Sequence, residues 1–155
     1  MRHSRLALLG CLGVGILIAA YASPWFSSKD SAAQSKDSAA HVIAAISHHN
    51  NAAAIANNAG GTGAVKTISQ ADWKAIASYD KKALDEAQQA DISEMNSYHP
   101  GFGDHFKNEF IEGLRLIVDN GNDLANAPAF LRGQILVDRF GDWYEANANA
   151  IRNRK

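Results

Sequence analysis

The chain has 155 residues, a formal net charge of −1 and a single cysteine. That length leaves room for one domain beside an N-terminal hydrophobic segment, and the lone cysteine excludes a disulfide framework. Residues 65–155 carry 11 Lys and Arg against 14 Asp and Glu, so the domain offers nucleic acid no basic footprint.

Arg2 and Arg5 precede a stretch from Leu6 to Ala22 that contains no charged residue. Two readings fit it. Ala20-Tyr21-Ala22 completes a secretory signal cleaved after Ala22. Alternatively, residues 6–26 reach the roughly 20 apolar positions that a membrane-spanning helix needs, with Tyr21, Trp25 and Phe26 as an interfacial aromatic belt. That aromatic cluster favours an uncleaved anchor, because a discarded peptide has no use for it. The positive charges lie before the apolar run, which predicts a cytoplasmic N-terminus. The remainder is then expected outside the cytoplasm, as the outer domain of a single-pass membrane protein or as a secreted or periplasmic chain.

Leu8-Leu9-Gly10-Cys11 resembles the lipobox of bacterial lipoproteins, and the resemblance implies lipidation at Cys11. It spans four residues, and Leu6 to Gly10 is a shorter apolar run than the 7 or so residues a signal needs. Cys11 otherwise reads as a small apolar residue inside the segment.

Ser28 to Gln34 and Ser35 to His41 form a seven-residue repeat. Seven is the coiled-coil period, but a seam needs large apolar residues over several repeats, and this one offers alanine. Residues 27–64 therefore read as an Ala/Asn/Ser-rich, partly helical spacer. Within it a helix is predicted over 38–58, with Ile43, Ile46 and Ile55 as a thin stripe and with His41, His48 and His49 exposed. Gly60-Gly61-Thr62-Gly63 ends it.

Residues 65–155 are expected to form the packed domain and to fold without the spacer. Ser69 and Asp72 make a helix-start signature, and nothing interrupts the pattern before Pro100. One long helix is thus predicted from Gln70 to Ser97, with Trp73, Ile76, Ala77, Leu84, Ala87, Met95 and Tyr98 inward and with Asp80 and Asp91 near the wet border of that stripe. His99-Pro100-Gly101-Phe102-Gly103 reads as a turn. Asp104 is expected to cap a second helix with Phe106, Phe110, Leu114, Ile117 and Val118 inward. A third restarts at Asn126-Ala127-Pro128, with Leu131, Ile135, Leu136, Phe140, Trp143, Tyr144 and Ile151 inward, and with Gly133 and Gly141 permitting close helix contact. The fold class is therefore all-α, a small three- to four-helix bundle behind the N-terminal signal or anchor.

No sequence motif carries nucleophilic or phosphate chemistry, so the chain reads as a non-enzyme without a cofactor. His105 and Glu109, four apart on one helix face, are the candidate metal ligands, and His99 is a third. A second helical ligand pair is missing from that pattern. The leading expectation is an interaction or scaffold module of the cell envelope, contacting the membrane through residues 6–26 and other envelope proteins through its bundle. The alternative is a bundle that binds a metal or a small ligand.

Overall fold

A computed structural model describes residues 38–60, 69–121 and 127–152. The signal or anchor reading at residues 1–26 and the first repeat of the spacer lie outside the described residues. Among those described, every regular element is a helix, and these residues form an all-α bundle. No described helix is long and apolar enough to cross a membrane.

The first helix, α1 (Ser38–Gly60), covers the span 38–58 expected to be helical. Its buried line is Val42, Ala45, Ile46, Ala52 and Ala56. Alanines there let the next helix approach closely. That helix, α2 (Gln70–Ala87), starts on the Ser69 cap, whose side chain accepts the Asp72 amide at 3.1 Å and donates to the Asp72 carboxylate at 2.6 Å.

The long helix expected to reach Ser97 breaks after Ala87, and α3 (Ile92–Tyr98) begins afresh. The cause is Asp91, which accepts the amides of Ser93 and Glu94 at 2.7 and 3.2 Å. A side chain that satisfies free amides at a helix start favours the break. The Asp91 amide in turn donates to Ser38 Oγ of α1 at 2.8 Å, so the new helix start is anchored from outside.

Gly101 takes the left-handed backbone at φ 81° and turns the chain. The second predicted helix starts two residues ahead of Asp104. It comprises α4 (Phe102–His105), a π-helical segment (Phe106–Ile111) and α5 (Glu112–Asn120). The widened segment carries Phe106 and Phe110, both wholly enclosed. The last helix, α6 (Ala127–Arg152), crosses α5 with backbones nearly touching. A Cβ on Gly113 would lie 2.7 Å from the Gly133 carbonyl oxygen, and one on Gly133 would lie 2.7 Å from that of Gly113. Gly113→Ala should therefore cost about 1 to 3 kcal/mol by forced separation of the helices. A denaturant midpoint unchanged from the parent's would show that this crossing is not tight.

One buried cluster joins Val42, Ala45 and Ile46 of α1 to Ala83, Leu84 and Ala87 of α2, Met95 of α3, the phenylalanines 102, 106, 110 and 140, and Leu114, Ile117, Val137 and Ile151. A smaller one joins Ala52 and Ala56 to Ile76. The boundary expected at residue 65 thus divides residues that share a core. Leu131 and Ile135, expected inward, stand 44% and 54% exposed. Val137, not expected inward, is buried beside Phe140, because α6 is rotated so that Gly133 meets α5.

Candidate functional site

The structure brings two of the three candidate ligands together: His105 Nδ1 lies 2.9 Å from Glu109 Oε2. Their spacing across the start of the π-helical segment places both on one side of the helix. The imidazole of His105 also lies flat on Trp143 of α6, with ring centres 4.4 Å apart and planes inclined by 18°. His99 approaches the same indole edge-on at 5.7 Å, while its Nδ1 sits 2.9 Å from the Pro100 carbonyl oxygen. The carboxylates that could have extended the set are engaged elsewhere. Glu94 accepts hydrogen bonds from Ser38 and Tyr98, and Asp91 caps α3. Among the described residues no group of three or more His, Cys, Asp or Glu side chains could hold a metal ion.

Two further histidine–carboxylate pairs join different helices, where the sequence had suggested exposed rings. His41 Nδ1 of α1 lies 2.8 Å from Glu86 Oε2 of α2, and the histidine is only 5% exposed. His49 Nδ1, also of α1, lies 2.8 Å from Asp80 Oδ1 of α2. Asp80 is 3% exposed, and burying a carboxylate is costly unless a partner answers it. The His49 ring completes the contact by meeting Phe110 edge-on at 6.0 Å. His48, between them in sequence, tilts against Tyr79 and keeps a buried Nδ1 with no partner among the described residues. The signal available in the sequence was Asp80 itself, an acid on an apolar stripe that requires a partner on the facing helix.

Charges elsewhere follow simpler rules. Arg115 bonds both Glu112 oxygens at 2.7 and 2.9 Å and reaches Asp119 at 3.2 Å. The bond to Arg115 is the main reason the Glu112 carboxyl titrates below its usual range, with Arg132 adding attraction. Asp138 on α6 titrates above the usual range, first through desolvation and then through repulsion by Asp142, against an attraction from His49.

Each of the three pairs can orient an imidazole and leave Nε2 as its second ring nitrogen, an arrangement that also supports metal-bound histidines. In this chain the pairs at His41 and His49 tie α1 to α2. The fold and these ties define an all-α bundle with histidine–carboxylate cross-links between helices. Compared with protein-family models, curated proteins and solved structures, the chain matches none.

His105 and Glu109 are partly exposed, and their interaction is worth about 0.3 to 0.5 kcal/mol. The stack on Trp143 adds about 0.5 to 1.5 kcal/mol. Replacing both residues by alanine should therefore lower Tm modestly, and a chelator should leave parent and variant unchanged. A chelator that destabilises the parent alone would instead establish metal bound to the folded state.

Proposed function

We propose that this chain is a non-catalytic interaction or scaffold module of the cell envelope, exported or held at the membrane by residues 6–26. The observation that carries the reading is the outward side of α6. Leu131 and Ile135 stand exposed one turn apart there, while Ala45 of α1 and Ala83 and Ala87 of α2 are fully enclosed. Single exposed apolar residues are ordinary, but adjacent large ones on a packed helix suit a surface that another molecule covers.

A photo-crosslinking amino acid at Leu131, in cells that carry the full chain, should yield a covalent adduct with a neighbouring protein. No adduct at that position, with the protein present at normal level, would overturn the contact reading. The topological part has its own test. Alkaline phosphatase fused after residue 64 should be active, since the charge bias places that point outside the cytoplasm; an inactive fusion reverses the orientation.

The alternative, a metal- or ligand-binding bundle, rests on the His105–Glu109 pair. Two side chains under-supply a tight metal site, which takes three or four protein ligands. The chelator experiment separates the two readings.

A further inference from the structure

The exposed side of α6 runs the length of the helix as Leu131, Arg132, Ile135, Asp138, Arg139, Asp142, Glu145, Ala146 and Asn149. At about 3.6 residues per turn, Ile135, Asp142 and Asn149 follow its midline. Leu131, Asp138 and Glu145 line one flank, and Arg132, Arg139 and Ala146 line the other. One flank is therefore acidic and the opposite one basic. Among the described residues, no ion pair within the chain engages Arg132, Asp138, Arg139 or Glu145, although Arg132 attracts Glu112 and His49 attracts Asp138 at longer range.

We propose that this face of α6 binds the same face of a second copy of the chain, with the two helices parallel. The proposal rests on reading the face as the contact surface, and it names the occupant.

The orientation follows from the flanks. A twofold axis along the helix pair sets the basic flank of each copy against the acidic flank of the other, twice, with Arg139 level with Asp138 of the second copy. An axis perpendicular to the helices would instead set arginines against arginines and acids against acids. Flanking charges choose helix orientation in this way, and opposed like charges are strongly disfavoured. Ile135 meets its own counterpart on the midline, and the arginine stems cover Leu131. Asn149 also meets its counterpart, and facing asparagines on a parallel seam fix its register at a cost in stability. Copies tethered to one membrane share a direction, which agrees with a parallel pair. Asp142 facing its counterpart weakens the contact. Desolvation raises the Asp138 titration, against an attraction from His49 and together with repulsion by Asp142, and a guanidinium from the second copy would add to the attraction.

The test uses the full chain with Cys11→Ser. Ile135→Cys and Asn149→Cys, made separately, should each give a disulfide-linked dimer under mild oxidation, because parallel helices hold equal positions level. Crosslinking only when Ile135→Cys is mixed with Asp142→Cys would mean an antiparallel pair and would overturn the proposal. Arg139→Asp should weaken self-association about tenfold, a loss of about 1.4 kcal/mol, and Arg139→Asp with Asp138→Arg should restore it. Failure of that restoration would remove the charge complementarity on which the orientation depends. Asp142→Ala should strengthen the dimer, and a weaker dimer counts against the midline placement. The photo-crosslinker at Leu131 separates this proposal from the broader one. An adduct at twice the chain mass supports self-association, and adducts only with other proteins overturn it while sparing the contact reading. No adduct overturns both.

Discussion

A chain that begins at Val65 is expected not to melt cooperatively, whereas one that begins at Ser38 is. Removing α1 takes Val42, Ala45 and Ile46 out of the main cluster and Ala52 and Ala56 out of the smaller one. Burying a valine or isoleucine side chain is worth about 1.5 to 3 kcal/mol. The loss doubles as exposure of the facing residues Ala83, Leu84, Ala87 and Ile76, which α1 had covered. Asp80 loses His49, and Glu86 loses His41. Small domains hold only about 5 to 15 kcal/mol in total, so losses of this kind exhaust the margin. The measurement is thermal unfolding of the two truncated chains, followed by circular dichroism. A sharp transition for the shorter one would restore residues 65–155 as an independent folding unit and reduce α1 to an attached spacer.

The same helix shows where the sequence was readable and where it was not. Its helical character was legible, because alanine favours helix. Its role was not, since the Ile43, Ile46 and Ile55 stripe is thin, while the contact with α2 is made by alanines whose small size becomes useful only against a facing surface. Helix periodicity located Phe106, Phe110, Leu114 and Phe140 correctly because large residues at helical spacing bury on one side whatever their neighbours do. It misplaced Leu131 and Ile135, because the rotation of α6 is decided by the Gly113–Gly133 approach between two helices. The break at Ala87 was encoded locally, in the Asp91-Ile92-Ser93-Glu94 cap, but the absence of proline and glycine hid it. Of the candidate ligands, the His105–Glu109 pair was readable from its spacing alone. The pairs of His41 with Glu86 and of His49 with Asp80 span 45 and 31 residues, and single-chain periodicity contains no term for such a separation.

Phe140→Ala should be the most damaging single substitution in the bundle, with an expected loss of about 3 to 5 kcal/mol. Phe140 is 0% exposed and stands at the meeting point of three aromatic rings from the α4-to-α5 stretch. Its ring lies 5.0 Å from Phe110, 5.5 Å from Phe106 in an edge-on arrangement and 6.4 Å from Phe102 in a stacked one. Tyr144, one turn later on its own helix, is 6.0 Å away. Truncation therefore removes the transfer energy of a large ring, leaves a cavity lined by rigid aromatics, and forfeits pairs worth about 0.5 to 1.5 kcal/mol each. Rigid linings collapse poorly, which places the cost toward the upper part of the range. Phe140→Leu keeps most of the volume and should lose less than half as much. Leu131→Ala, on the exposed side of the same helix, should fall within about 0.5 kcal/mol of the parent. Denaturant unfolding of the three variants orders them. If Leu131→Ala proved as costly as Phe140→Ala, the rotation assigned to α6 would be wrong, and the inward face would be the one that helical periodicity alone suggested.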